Sequence, residues 1–210
     1  MSNTPKTNPQ ATIRAMSGVT PIEALTANTT ALLVIDFQNE YFTGRMPIPA
    51  GEQAMRNTQK LIAWADQHQI PVFQVQHIAP AGSAVFAMDG ETVQFHPQMQ
   101  PRAGDVVVQK ENVSVFVGTK IDEQLRSRQI GNLIIAGLMT HACVAGAARD
   151  AAVHGYQVVV ASDASATRSI TRANGESVEH AALHNAALAE IEDTFGDVLT
   201  TAQITQLVLR

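Results

Sequence analysis

The chain has 210 residues, of which 45% are hydrophobic and 16% are charged, and its formal net charge is -5. This length fits a single domain with a sizeable core, and the acidic balance argues against nucleic acid as a partner. The sequence contains no run of about 18 apolar residues, which argues against a membrane partner. Its single cysteine cannot form an internal disulfide. A reducing cytoplasm therefore suits the chain best, and a free reactive thiol has to be considered.

The first thirty residues differ in composition from the rest of the chain. They are rich in Thr, Asn and Pro and contain no apolar stretch typical of the core of a signal peptide. We interpret residues 1–30 as an N-terminal arm and residues 31–210 as the folded domain.

The domain alternates short apolar runs rich in β-branched residues with longer segments of helical period. The predicted strands are 31–36, 71–77, 105–110, 132–137, 156–162 and 197–200. The predicted helices are 51–69, 119–129, 140–154 and 176–190. This alternation predicts an α/β fold: a three-layer, doubly wound, Rossmann-like sheet of six parallel strands with helices on both faces. The long irregular segment 78–104 has the length of loops that are often functional, for example as lids.

Three of the predicted strands end in residues that could carry chemistry. The first strand runs into Asp36, the third into Lys110, and the fourth ends at Gly137 shortly before Cys143. Because ligands of doubly wound sheets bind at the carboxyl ends of the strands, we expect these side chains to converge. Each also has a structural explanation, since a lone cysteine is often a small core residue and Asp is common in turns. Their joint position favours a site.

A cysteine nucleophile needs a base, a nearby cation or a helix N-terminus, because the free thiol is mostly protonated at neutral pH. Asp36 can accept the proton of Cys143, and Lys110 can stabilise the thiolate. If Thr140 caps the following helix, the helix dipole favours an anion at Cys143 as well. The sequence therefore predicts a depressed pKa for this thiol.

Three segments of the chain resemble the isochorismatase-like cysteine hydrolases. They are VIDFQNEYF at 34–42, QKENVSVFVGTKIDEQLRSRQI at 109–130 and AGLMTHACVAGAARDAAVHGYQVVVASDASA at 136–166. The resemblance covers residues 31–199, with the motifs in the same order and at matching spacing. It implies the six-stranded fold, and it implies that the protein is a homo-oligomer, as a dimer, tetramer or larger assembly.

The resemblance also implies roles for individual residues. Cys143 would attack an amide or carbamoyl carbon, Asp36 would act as base and then as acid, and Lys110 would give electrostatic support. A non-proline cis peptide is implied between Leu138 and Met139. The amides of Met139 and Cys143 would form the oxyanion hole.

The substrate is less readable from the sequence. Nicotinamidases of this family bind a metal through an Asp-x-His pair, which QVQHIAPAG at 74–82 lacks. His77 and His96 alone make a poor zinc set, so we expect no metal. The glycine-rich phosphate-binding motifs are absent as well, so we expect no cofactor. The candidate substrate-binding residues are mostly aromatic or neutral, namely Phe42, His77, Phe86, Asn112, Phe116 and His141.

The resemblance, together with this set, implies a metal-independent hydrolase that cleaves a C–N bond of a small amide or carbamoyl/ureido substrate through a thioester. The small-molecule substrate would be uncharged or singly charged. Three alternatives stay open: an isochorismatase-type vinyl-ether hydrolase, a catalytically silent binding or assembly protein with the hydrolase fold, and a thiol redox sensor.

Overall fold

The computed structural model describes residues 10–210. The strands are β1 (Ala24–Leu25), β2 (Thr30–Ile35), β3 (Val72–His77), β4 (Val106–Lys110), β5 (Asn132–Leu138), β6 (Gln157–Ala166), β7 (Ile170–Thr171), β8 (Ser177–Val178), β9 (Asp197–Leu199) and β10 (Val208–Leu209). The α-helices are α1 (Ile13–Met16), α2 (Gly51–Gln67), α3 (Ile121–Arg126), α4 (Ala145–Val153), α5 (His180–Thr194) and α6 (Thr201–Thr205). Within the described part of the chain, no helix has the length and apolar character needed to cross a bilayer.

Six strands form the central sheet in the order β4-β3-β2-β5-β6-β9. Every neighbouring pair in it is parallel. The chain moves outward in one direction from β2 to β4 and then returns to start β5 on the other side of β2. This reversal of strand order is the feature of doubly wound sheets. The predicted α/β fold class is confirmed.

The strand residues alternate between two apolar layers. On β2, Leu32 and Val34 pack into one core cluster, which also contains Leu61 and Trp64 of α2. The other strand residues of β2 face a second cluster with α3, α4 and α5. Burial of one large apolar side chain contributes roughly 1.5–3 kcal/mol, so these two layers are the main source of stability. The sheet is therefore covered on both sides, as the apolar runs predict.

The predicted and observed bounds differ mainly in the second half of the chain. The fifth predicted strand, 156–162, continues to Ala166. The last predicted helix, 176–190, begins four residues later and runs over His180–Thr194. Ser177–Val178 is not helical because it pairs with Ile170–Thr171 in a small antiparallel ribbon.

Part of the predicted N-terminal arm packs on the domain. Ala24–Leu25 pairs in parallel with Val208–Leu209. Arg14 donates to the carbonyl of Gly196 at 2.6 Å and forms an ion pair with Asp197 at 3.1 Å. The predicted arm is therefore held to the C-terminal end of the chain at Arg14 and at Ala24–Leu25, and its last residue, Thr30, begins β2. Residues 1–9 lie outside the described residues.

Gly137 allows two central strands to approach closely. A Cβ atom at this position would lie 2.5 Å from the carbonyl oxygen of Ile35, on the neighbouring strand β2. The pairing of β5 with β6 also shifts register between Ile135 and Gly137. Because Gly137 has no side chain, the ends of β2 and β5 can lie close together. Asp36 follows the first of these strands and the Cys143 turn follows the second.

The predicted lid segment is held to the domain by buried polar side chains. The Gln38 amide donates to the Val93 carbonyl at 2.6 Å, and the Gln76 amide donates to the same oxygen at 3.0 Å. The Glu40 carboxylate accepts from the Thr92 hydroxyl at 2.5 Å. Removing a partner from such buried groups leaves an unsatisfied polar atom, which costs about 1–3 kcal/mol. This second half of segment 78–104 is therefore tied to the residues that follow β2.

Candidate active site

The ends of β2, β4 and β5 bring the three predicted triad residues into contact. The Lys110 Nζ lies 2.8 Å from Asp36 Oδ2. The same ammonium lies 3.3 Å from the Cys143 sulfur. It also donates to His77 Nδ1 at 2.9 Å. Lys110 is the central residue of the cluster, and its long side chain spans the width of β3 to reach Asp36.

These groups are removed from water. The side chains of Lys110 and Asp36 are both 0% exposed, and Cys143 is 5% exposed. Asp36 has a φ of 58°, in the left-handed region that Asp and Asn tolerate better than most residues. The backbone turns there, directly after β2, and points the carboxylate at Lys110. Burial makes the Asp36–Lys110 attraction much stronger than it would be at the surface.

The pKa of the Cys143 thiol is raised, whereas the sequence predicts a depressed pKa. Burial, followed by the Asp36 charge, raises the pKa of Cys143 to about 12, although Lys110 opposes this shift. Burial alone would lower the pKa of Lys110, but the charges of Asp36 and Cys143 outweigh it and the net pKa is raised. The resting cysteine is therefore a neutral thiol beside an ammonium, and it needs a base in order to react.

The turn that carries Cys143 also differs from the predicted helix start. Thr140 does not cap an α-helix; its hydroxyl lies 2.8 Å from His184 Nδ1. The segment Thr140–Val144 is a single π-helical turn, and α4 begins after it. The peptide bond between Leu138 and Met139 is cis. Cys143 thus lies within a π turn, a type that occurs frequently at functional sites.

Asp36, His77 and Cys143 also form a set of metal-ligand types, with one ligand atom of each within 4.8 Å of the others. The Lys110 ammonium contacts an atom of each of the three. A divalent ion placed among them would meet this ammonium at contact distance. The geometry therefore favours a proton-transfer cluster, in which Lys110 supplies the positive charge.

Phe86 and Tyr41 form an aromatic wall beside the cluster. The Phe86 ring meets the His77 ring edge to face at 4.8 Å and the Tyr41 ring at 5.3 Å between centroids. Phe86 is buried and has a φ of 54°. Burial raises the pKa of Tyr41, and the Cys143 charge adds to this rise, so the phenol faces the site as a neutral group.

Arg168 is the charged residue that the sequence analysis missed. Burial lowers the pKa of His141, and the Arg168 charge lowers it further. Arg168 also opposes the rise in the pKa of Tyr41. Its Nε is buried without a hydrogen-bond partner among the described residues. The true length of β6 would have revealed Arg168. A strand that ends at Ala166 rather than at 162 brings Arg168 to the carboxyl edge of the sheet, where the triad lies.

Two predicted pocket residues lie close to this edge. His141 Nδ1 is 2.6 Å from the Thr167 hydroxyl, next to Arg168. The main chain of Asn112 hydrogen bonds His77, whereas the Asn112 side chain is exposed and contacts the Val117 carbonyl at 3.5 Å. Asn112 therefore meets the cluster through its backbone, and its side chain points away from His77 towards Val117.

Phe42 and Phe116 are not brought to the triad. Phe42 packs on His96 with centroids 4.5 Å apart and lines a cavity of about 370 Å³ whose described walls contain no triad residue. Phe116 stacks on His154 at 5.2 Å. His154 follows the carboxyl end of α4, whereas Cys143 precedes its amino end, so Phe116 lies at the far end of that helix. Neither of these two ring contacts can be read from the spacing of residues along the chain.

Comparison with known proteins agrees with this geometry. Residues 30–203 match the family model described as Isochorismatase domain. The secreted isochorismatase effector Isc1 of Verticillium dahliae is 32% identical over 191 residues, which cover 91% of this chain and 97% of that protein. Maleamate amidohydrolase of Pseudomonas putida is 27% identical over 186 residues, or 81% of this chain and 82% of that protein. The crystal structure of an isochorismatase from Pseudomonas putida KT2440 has a TM-score of 0.85 at 29% identity and covers 92% of this chain and 98% of that chain.

The fold and the buried cluster define a cysteine hydrolase built on a doubly wound sheet. The chain belongs to the isochorismatase family, because the family model spans most of its length and it matches the relative Isc1 along 97% of that protein. The resemblance predicted from the three sequence motifs is confirmed, and the protein is a hydrolase.

Proposed function

We propose that the protein is a metal-independent amidohydrolase that cleaves the C–N bond of a small amide or carbamoyl/ureido compound through a thioester on Cys143. The observation that carries this proposal is the position of one ammonium, Lys110, against both Asp36 and Cys143 at 2.8 and 3.3 Å. Because the base and the nucleophile contact the same buried cation, the distance and orientation between them are fixed. This arrangement suits acyl transfer, in which a proton must move between them.

In the first half of the reaction, the Cys143 sulfur bonds to the substrate carbonyl carbon while Asp36 takes the thiol proton. The C–N bond then breaks, and Asp36 gives that proton to the leaving nitrogen, which departs as ammonia or an amine. In the second half, Asp36 takes a proton from water, the hydroxyl bonds to the acyl carbon, and the C–S bond breaks. The thiol is reprotonated and a carboxylic acid leaves.

The raised pKa of Cys143 fits this sequence of steps. Transfer of the proton to Asp36 takes place together with the attack, so the enzyme does not need a standing thiolate. A buried neutral thiol also reacts slowly with peroxide, since oxidation follows thiolate character and exposure. These properties of Cys143 therefore fit the role of a nucleophile better than the role of a redox sensor.

The developing oxyanion would be bound by the backbone amides of Met139 and Cys143. Met139 immediately precedes the π turn, and Cys143 lies within it. Loss of one such donor typically costs about 2.7–4 kcal/mol of barrier stabilisation. The two amides are therefore as important to the proposed rate as the proton transfer.

We infer that the substrate carries one negative charge. Arg168 has a buried Nε without a partner among the described residues, and its charge acts on both His141 and Tyr41. A carboxylate on the substrate would satisfy this donor. The wall of Phe86 and Tyr41 would cover the apolar part of the ligand. The relative that acts on maleamate, the monoamide of a dicarboxylic acid, has a substrate of this description.

A cytoplasmic location and assembly into homo-oligomers remain part of this proposal. A reducing compartment would keep Cys143 as a thiol. The relative Isc1 is a secreted protein, so location differs among proteins of this family.

The direct test is an ammonia-release screen of the purified protein. The panel contains acid amides, ureido acids, neutral amides and nicotinamide, with a parallel assay of isochorismate. We expect ammonia from a monoanionic amide and none from Cys143→Ala, because the nucleophile is lost. The Ser127→Ala variant, which removes an exposed hydroxyl directly after α3, serves as the matched control and is expected to keep the wild-type rate.

Two results would overturn the proposal. If only isochorismate is consumed, the protein is a vinyl-ether hydrolase. If no compound is turned over and Cys143→Ala leaves the cellular phenotype unchanged, the chain is a silent binding or assembly protein.

A further inference from the structure

We propose that His77 is a positioning residue that holds the Lys110 ammonium between Asp36 and Cys143. This inference rests on the function proposed above and assigns His77 a place in the catalytic cluster. From the sequence alone, His77 is one of the candidate substrate-binding residues. In the structure, His77 Nδ1 accepts a hydrogen bond from Lys110 at 2.9 Å.

The first step of the argument is the number of donors on Lys110. An ammonium has three N–H donors and no acceptor. Its three neighbours are Asp36 Oδ2 at 2.8 Å, His77 Nδ1 at 2.9 Å and Cys143 Sγ at 3.3 Å. Two of the N–H groups therefore have hydrogen-bond acceptors, on His77 and Cys143, and the contact with Asp36 is an ion pair. Without His77, one buried donor would be left over, and the ammonium would be free to turn away from the sulfur, its weakest acceptor.

The second step is how firmly His77 itself is held. His77 and Lys110 are paired residues on the adjacent strands β3 and β4, so their side chains start from the same face of the sheet. The Gln38 side chain accepts from the His77 amide at 2.8 Å and donates to its carbonyl at 2.7 Å. The ring of Phe86 packs on the imidazole at 4.8 Å. Backbone and ring are thus fixed before any substrate binds.

The third step is the protonation state of the imidazole. Lys110 can only donate, so Nδ1 must be unprotonated and the proton of the neutral ring must lie on Nε2. Burial, followed by the Lys110 charge, lowers the pKa of His77. Asp36, the Asn112 main chain and Glu111 oppose that shift. Cys143 is a further titratable group beside the ring, with its sulfur within 4.8 Å of a ring nitrogen. Protonation of His77 at low pH would replace the acceptor with a second cation beside Lys110.

The test compares two substitutions of His77, one that keeps a hydrogen-bond acceptor for Lys110 and one that removes it. In His77→Asn, the side-chain oxygen can occupy the place of Nδ1 and accept from Lys110. In His77→Leu, the bulk stays similar but the acceptor is gone. We expect His77→Leu to lower kcat by about 10- to 100-fold with a smaller change in KM, and His77→Asn to recover most of that loss.

The pH profile separates positioning from a merely structural role. In the wild-type enzyme, kcat is expected to fall as the pH drops through the lowered pKa of His77. Asn has no proton to gain, so this acid limb should move to lower pH in His77→Asn. Equal kcat in wild type and His77→Leu, or an unchanged acid limb in His77→Asn, would overturn the assignment.

Two measurements need no substrate and therefore keep this inference separate from the proposed function. The first is alkylation of Cys143 by iodoacetamide at one alkaline pH, which should be slower in His77→Leu than in His77→Asn because a loosened Lys110 stabilises the thiolate less. The second is nitrogen NMR of the wild-type imidazole, which should report the Nε2–H tautomer at neutral pH. An Nδ1–H tautomer, or equal alkylation in the two variants, contradicts the role of His77 even if amides are hydrolysed. Absence of ammonia release, with both substrate-free results as expected, contradicts the proposed function alone.

Discussion

Asp36→Asn is expected to slow hydrolysis by about 10²- to 10⁴-fold and, at the same time, to speed alkylation of Cys143. The loss of hydrolysis follows because an amide cannot take the thiol proton or return it to the leaving nitrogen. The gain in alkylation follows because Asp36 is one of the groups that raise the pKa of Cys143, whereas Lys110 lowers it. Removal of the carboxylate leaves the cation, so more of the sulfur is thiolate at a given pH.

The variant is well matched to its site. Asn has nearly the shape of Asp, and it tolerates the left-handed backbone conformation that Asp36 adopts with a φ of 58°. Ammonia release and iodoacetamide alkylation are measured on the same preparation. Asp150→Asn, a change on α4 at a carboxylate without contact to the triad, is the control and should alter neither rate. A fall in both rates would instead indicate a damaged fold, and an unchanged rate of hydrolysis would exclude Asp36 as the base.

Lys110→Met is expected to lower the free energy of unfolding by about 3–5 kcal/mol, in addition to abolishing activity. The reason is that the substitution leaves the buried Asp36 carboxylate without an opposite charge. Asp36 is fully buried, neither of its oxygens has a hydrogen-bond partner in the described structure, and its charge is compensated by the ion pair with Lys110. Met has a similar length and fills the same space, so the loss measures the unpaired charge rather than a cavity. Urea denaturation monitored by fluorescence and circular dichroism gives the value.

The double variant Asp36→Asn with Lys110→Met tests this explanation. When both charges are removed, no buried charge is left unpaired, so most of the lost stability should return while the activity stays absent. Lys60→Met, at an exposed lysine whose Nζ contacts Asn57 at 3.0 Å, should change stability by less than about 0.5 kcal/mol. A double variant that is as unstable as Lys110→Met would show that Lys110 stabilises the fold through packing instead.

The parts of the fold that local pattern determines were predictable from the chain. Alternating apolar runs and helical segments predict the six-stranded sheet, because the central strands β2, β3 and β5 are buried on both faces and the helices that cover them are buried on one. Asp36, Lys110 and Cys143 were found because all three lie at the carboxyl ends of strands or directly after them. A parallel sheet gathers such residues at one edge whatever the details of the loops.

The parts that depend on distance and burial were not predictable. The direction of the Cys143 pKa shift is set by the balance between burial, Asp36 and Lys110, which spacing along the chain does not contain. The contacts of Phe42 and the presence of Arg168 at this edge were not predictable for a related reason. A short turn after β2 directs Phe42 to His96, and four extra residues of β6 bring Arg168 to the site.

The most direct test of the central claim is intact-mass analysis of the enzyme after rapid acid quenching during turnover of the best amide from the screen. The account predicts a mass gain equal to the substrate minus the released ammonia or amine, located on Cys143 by peptide mapping and removed on further incubation. Continued hydrolysis by Cys143→Ala, with no adduct on the wild-type cysteine at any time of quenching, would contradict it.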